Sequence, residues 1–166
     1  MDEIDRQLLE ILQQDATLSI AQMAEHVGLS ATPCWKRIQK LEARGVILRR
    51  VAIVDPDRVG VGLSVLVAVE AGEHTPDWLQ RFSRGVAALP EVMEVYRMAG
   101  DVDYVLRVAV ADTAEYDSFY KRLIAIAPMK NVTSRFAMER IRHTTAYPLH
   151  PRAFRDRRAA ESSDPE

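Results

Sequence analysis

Residues 27–47 read VGLSATPCWKRIQKLEARGVI, and this stretch decides the architecture of the first third of the chain. Gly28 lies where a helix must stop, because glycine enters the left-handed conformation without steric cost. Leu29 can plug the corner. Ser30 then caps a new helix, with Pro33 in its first turn, where a missing N–H does no harm. Cys34, Ile38 and Leu41 recur on one narrow apolar stripe of that helix. Thr32, Lys36 and Gln39 fall on the opposite face, with Arg37, Lys40 and Arg44 on one flank and Trp35 on the other. Gly45 closes the helix. Upstream, Ser19 and Gln22 have capping-box spacing, and Ile20, Met23, Ala24 and Val27 give a buried face. Ile4, Leu8, Leu9, Ile11 and Leu12 fit one face of a first helix that begins near Asp2. Downstream, VILRRVAIV, residues 46–54, reads as a strand.

Charge is divided unevenly across this segment. The whole chain of 166 residues carries 22 bases against 24 acids. Residues 1–29 hold one base against six acids, a net of −5, while residues 30–50 hold six bases against Glu42, a net of +5. Such asymmetry within one small unit points to a face for a polyanion. A solvated helix face is the plainer reading of any charge run. Two helices joined by a tight Gly-Leu-Ser corner, the second short and basic, form a helix-turn-helix, whose second helix enters the DNA major groove. Ser30 and Thr32 then stand at the helix N-terminus, where N–H groups and hydroxyls can hold a phosphate. Lys36 and Gln39 point outward to base edges. Arg37, Lys40 and Arg44 supply attraction to the backbone. The DNA-facing set is thus Ser30, Thr32, Pro33, Trp35, Lys36, Arg37, Gln39, Lys40 and Arg44.

After the turn-rich DPDRVG at residues 55–60 the pattern changes. LSVLVAVEA is a strand. Thr75 caps and Pro76 opens a helix with Trp78, Leu79, Phe82, Val86 and Leu89 at helical spacing. EVMEVYRM and YVLRVAVA are strands around a GDVD turn. Asp112 and Glu115 box a helix bearing Tyr116, Phe119, Tyr120, Leu123 and Ile124, which Pro128 ends. NVTSRFAMERI is the last strand. The order β-α-β-β-α-β predicts a ferredoxin-like antiparallel sheet with both helices on one face, an α+β fold. An open apolar sheet face usually finds a partner, so a dimer through this domain is expected. The expected divisions are a winged helix-turn-helix at 1–54, a linker at 55–62, the ferredoxin-like domain at 63–148 and a polar, disordered tail at 149–166.

Catalytic and metal chemistry find little footing. His26, His74, His143 and His150 are scattered, with no paired spacing and no cysteine cluster, so neither metal nor other cofactor is expected. There is no phosphate-cradling Gly-rich loop and no nucleophile elbow. Cys34, the single cysteine, reads as a small core residue and leaves no internal disulfide. No apolar run approaches the ~20 residues that span a bilayer. The acidic N-terminus resembles neither secretion signal nor transit peptide, and a cytoplasmic, nucleoid-associated protein without membrane contact is expected. GDVDY, residues 100–104, is the one concentrated polar feature of the second half. Its plain reading is a hairpin turn. Its sharper reading is the edge of a pocket, with Asp101 or Asp103 for an amino group and turn N–H groups for a carboxylate.

The chain resembles the leucine-responsive/AsnC (Lrp/AsnC, or feast/famine) family of transcription regulators over about residues 2–148. The resemblance rests on DEIDRQLLEILQQDATLSIAQMAEHVGLSATPCWKRIQKLEARGVI, on GDVDY and on SRFAMERIRHTTAYPL. It implies a winged helix-turn-helix joined to a ferredoxin-like effector and assembly domain. It further implies a homodimer associating into octamers or similar rings, with an amino acid bound in clefts between dimers. By that match Gly100, Asp101, Asp103 and Tyr104 are effector-site positions, followed by Thr113, Arg135, Phe136 and Ala137. Met98 and Phe136 would give the pocket an apolar wall, favouring an apolar or sulfur-containing amino acid. Arg135 and Tyr147 depart from the family's commoner residues at their positions. The alternatives are a ligand-independent local regulator or DNA-architectural protein of the same fold, or a protein-interaction module.

Overall fold

The computed structural model describes residues 1–149. The helices and strands follow the order α1 (Glu3–Gln14), α2 (Ile20–His26), α3 (Ala31–Ala43), β1 (Leu63–Ala71), α4 (Pro76–Ala87), β2 (Val92–Arg97), β3 (Tyr104–Val110), α5 (Thr113–Ile124) and β4 (Met129–Phe136). Two compact units result: Met1–Ala52 together with the segment from Arg142, and Ile53–Ile141.

In the first unit the local signals act as the sequence implies. Asp2 and Asp5 form a reciprocal capping box on α1, and Ser19 and Gln22 form another on α2. Gly28 and Gly45 adopt φ of 66° and 67°, the left-handed conformation that ends α2 and α3 at low cost. Leu8, Met23, Ala24, Cys34 and Ile38 form the small core, with Leu29 packed against it from the corner. Ser30 is the N-cap residue of α3 by its backbone only; its hydroxyl makes no capping bond.

Two expectations about chain ends need correction. Residues 46–54 form no strand. Leu48 (89% exposed), Val51, Ile53 and Val54 are exposed, since a strand needs a ladder partner and none among the described residues pairs with this one. The last strand stops at Phe136 rather than Ile141. From Arg142 the chain groups with the first unit instead of the ferredoxin-like one. There the Gln13 side chain pairs with the Tyr147 backbone, donating to its carbonyl at 3.3 Å and accepting from its N–H at 2.7 Å. The tail from residue 150 lies outside the described residues.

The second unit is the antiparallel sheet β2-β3-β1-β4. Val65, Val67, Val69, Leu106, Val108 and Val110 alternate onto one face, and α4 and α5 cover it with Trp78, Phe82, Val86, Tyr116, Phe119 and Leu123. Each such fully buried side chain contributes about 1.5–3 kcal/mol. The other face is mixed. Leu66, Ala68 and Val105 hold its centre, since Leu66 pairs with Arg107 and Arg135 and Ala68 with Val105 and Thr133. Arg107 is bound by Glu94, at 2.7 and 2.9 Å, and Tyr96 donates to the same carboxylate.

Candidate nucleic-acid interface and effector site

The candidate interface is α3, held from below by the buried stripe Cys34, Ile38 and Leu41. Burial pushes the Cys34 thiol above its ordinary pKa, as suits a core residue rather than a nucleophile. Because those three residues anchor one face, the opposite face is turned outward. Ser30, Thr32, Pro33, Lys36, Gln39, Lys40 and Arg44 are all exposed, and Trp35 is half exposed. The Gln39 amide donates to Glu42 on the same helix at 2.9 Å.

Arg37 is placed differently. Its Nη1 lies 2.6 Å from Asp2 Oδ2 and 2.7 Å from Asp5 Oδ1, so its guanidinium joins α3 to the first turn of α1. The Asp2 carboxyl is held below its usual range, first by the N–H of Asp5 and then by Arg37. The sequence did contain a signal for this pairing. The acidic first turn of α1 and the basic flank of α3 belong to one small unit, so part of the charge asymmetry is satisfied internally.

In the second unit, the residues of GDVDY have separate roles. Gly100 has φ of 141°, a conformation that few other residues adopt. Asp101 is exposed. Asp103 ties the turn to the sheet: its Oδ2 accepts from Ala71 N–H at 2.8 Å, its N–H donates to Val69 O at 3.0 Å and its carbonyl accepts from Met98 N–H at 2.8 Å. Its other oxygen faces the exposed His74 imidazole at 3.8 Å. Tyr104 is buried, its ring centroid 4.6 Å from Phe82 and 5.8 Å from Trp78, so the ring serves the core and not the turn's surface.

The remaining effector candidates stand elsewhere. Tyr104 and Val110 mark opposite ends of β3, about 20 Å apart at roughly 3.3 Å per residue. Met98 and residues 100–104 lie at the Tyr104 end. Thr113 opens α5 beyond the Val110 end. Phe136 pairs with Val65, itself opposite Val108, and Ala137 donates to Ser64 O at 2.9 Å, so both also lie toward the Val110 end. Phe136 turns to the helix-covered face, edge-on to Tyr116 at 5.1 Å, while Arg135 turns to the open face. Within one chain the structure therefore does not gather these residues into a single pocket. A separate shallow cavity of about 260 Å³, lined by Glu73, Thr75, Asp77, Trp78, Arg81 and Pro128, contains none of them. Among the described residues no cluster of His, Cys, Asp and Glu is arranged to hold a metal, and no helix is long and apolar enough to cross a membrane.

A helix-turn-helix with an outward polar face, on the same chain as a βαββαβ unit, defines a two-domain DNA-binding regulator. Comparison with known families agrees: residues 1–42 match the AsnC-type helix-turn-helix domain and residues 64–147 the Lrp/AsnC ligand binding domain. The chain belongs to the Lrp/AsnC family and is a DNA-binding transcriptional regulator with a domain for a small-molecule ligand. It is 48% identical over 150 residues to the DNA-binding transcriptional activator DecR of Escherichia coli K12, covering 90% of this chain and 99% of that protein. It is 45% identical over 149 residues to the glutamate uptake regulatory protein of Zymomonas mobilis, covering 90% and 91%. Among solved structures, an AsnC family regulator from Agrobacterium tumefaciens superimposes with a TM-score of 0.87 at 55% identity, over 90% of this chain and 97% of that one. A transcriptional regulator from Neisseria meningitidis, solved as a complex with L-Met, gives 0.86 at 29% identity over the same shares. The family consists of transcription regulators and not enzymes.

Proposed function

We propose that this regulator works in the cytoplasm, reads a two-fold symmetric DNA site with α3 and is controlled by an amino acid held between copies of the chain. The observation that carries the second half is the separation of the effector candidates to opposite ends of β3. Two copies that meet end to end bring the turn of one against the Thr113 and Phe136 end of the other. Asp101, exposed and negative, then takes the ligand's ammonium, and N–H groups beside Gly100 take its carboxylate. Met98 and Phe136, each about two-fifths exposed, form the apolar wall, which favours an apolar or sulfur-containing side chain. The Neisseria relative's complex with L-Met is in keeping with that choice. A ligand that touches two copies biases their association by its differential affinity for the two arrangements. Leu66, Ala68 and Val105, at the centre of the open sheet face, support a dimer through that face, on which larger rings can be built.

On DNA, Lys36 and Gln39 face the bases, and Ser30, Thr32, Lys40 and Arg44 the phosphates. Two reading helices related by a dyad predict half-sites about one turn, 10 base pairs, or a multiple apart. Calorimetric titration of the common amino acids into wild type and Asp101→Ala, alongside DNA-binding isotherms, tests the whole. The expected result is one responsive amino acid, binding lost in Asp101→Ala and DNA affinity of the ligand-free variant retained. Equal affinity for the ligand in both proteins would place the effector elsewhere.

A further inference from the structure

We propose that Arg37 is a positioning residue that sets the orientation of the reading helix through Asp2 and Asp5, and does not bind a DNA phosphate. The inference rests on the reading of α3 as the DNA helix. The geometry at α1 is unusually complete. Asp2 accepts from Asp5 N–H with Oδ1 at 2.9 Å and receives Arg37 on Oδ2. Asp5 accepts from Asp2 N–H with Oδ2 at 3.3 Å and receives Arg37 on Oδ1. All four carboxylate oxygens are thus used, two for the cap and two for the arginine. The capping box is a preformed receptor for a guanidinium, because each acid is fixed by the other's backbone before Arg37 arrives.

Two further features separate Arg37 from its neighbours on α3. Its side chain is 32% exposed and that of Asp5 only 14%, whereas Lys36 and Lys40 are exposed. It also stands between two carboxylates within 3 Å, so its charge is already compensated within the protein and is not left over for a phosphate. Arg37 follows Lys36 and precedes Ile38, so a rotation of α3 that broke the pair would carry Lys36 and Gln39 off their base edges. Bidentate base contacts tolerate only ~0.5 Å or 10–20° of misplacement.

The test uses the full chain and a palindromic duplex selected by the wild-type protein from a random pool, with an unrelated duplex as reference. Affinity is measured across salt concentrations for Arg37→Ala, for the double variant Asp2→Asn with Asp5→Asn, and for all three changes together. Asparagine is a good N-cap residue in place of Asp2, and at position 5 its amide oxygen can still accept from the residue 2 N–H, so the second variant keeps the cap of α1 while removing both charges. The expected result is an about tenfold loss of affinity for the selected duplex in each, the scale of one bidentate base contact. Affinity for the reference duplex and the salt slope stay unchanged, and the triple variant loses no more than either. A stability role alone would leave the ratio of the two affinities untouched in protein that is folded by circular dichroism, and would overturn the inference. So would a loss on both duplexes in Arg37→Ala with a salt slope smaller by about one, or tighter binding in the Asp variant; either makes Arg37 a phosphate ligand. Lys36→Ala and Gln39→Ala serve as controls. If they retain full selectivity, the reading of α3 fails, and this inference with it. If they lose selectivity while Arg37→Ala keeps it, only the present inference falls.

Discussion

Asp2 carries both an N-cap bond and an ion pair, and its titration makes the first unit sensitive to acid. Its folded pKa is depressed, first by the Asp5 N–H and then by Arg37. A carboxylate depressed in the folded state stabilises above its unfolded pKa, near 4, and that contribution is lost as pH falls through the folded value. The urea midpoint of wild type is therefore expected to drop more steeply between pH 5 and 3 than that of Asp2→Asn, which has no charge to lose at this position. Parallel curves would show that the pair adds nothing to stability. At this scale the sequence was legible where the reason is local. Cys34, Ile38 and Leu41 are buried because their spacing puts them on one helical stripe, and spacing is visible in the sequence. For Arg37 the charge asymmetry signalled an acidic partner but not which one, because a helical wheel gives a flank and not what stands opposite it, here acids 32 and 35 residues away. The burial of Tyr104 was not legible for a related reason: the turn motif ends on a residue whose strand register points its ring into the core.

The starts of α1, α2, α4 and α5 were the most legible features, since their caps are contacts between residues two or three apart, whereas Ser30 caps α3 by its backbone alone. Thr75 accepts from Trp78 N–H, and Asp112 accepts from Ala114 and Glu115 N–H, as their spacing implies. Strand ends were less legible. VILRRVAIV, rich in β-branched residues, has a strand's composition, but composition alone supplies no ladder partner. The GDVDY element shows how a turn can be both structural and chemical. Asp103 stitches it to β1 through Ala71 N–H, a bond between residues 32 apart that composition cannot reveal. Asp103→Ala leaves that N–H without its acceptor, at an expected cost of about 1–3 kcal/mol. Asp103→Asn keeps an acceptor oxygen and is expected to lose much less. The comparison is read from denaturant midpoints of the two variants. Equal loss in both would mean that the carboxylate's charge, and not its hydrogen bond, holds the turn. It follows that Asp101, which makes no such stitch, is the cleaner position for probing ligand recognition.

The arrangement of the whole molecule gives the effector proposal its sharpest consequence. If one site draws its turn from one chain and its Thr113–Phe136 end from another, two differently damaged chains can repair each other. Let one variant carry Asp101→Ala and the other Thr113→Ala with Phe136→Ala. Each alone assembles sites with one defective side throughout, and binding is expected to be lost in both. Co-expressed in equal amounts, the chains assort at random in a symmetric assembly. A site is intact only when its turn comes from the second variant and its other end from the first, which is about one quarter of all sites. Calorimetry on the mixed assembly is therefore expected to recover about a quarter of the wild-type stoichiometry at close to wild-type affinity, since the repaired sites are chemically complete. A site built within a single chain cannot be repaired by mixing, because every chain retains its own defect. No binding in the mixture, with assembly intact by light scattering, would therefore return the effector to a single protomer. The β3 strand, with Tyr104 and Val110 at its ends, would then have to be bridged by something other than a small ligand.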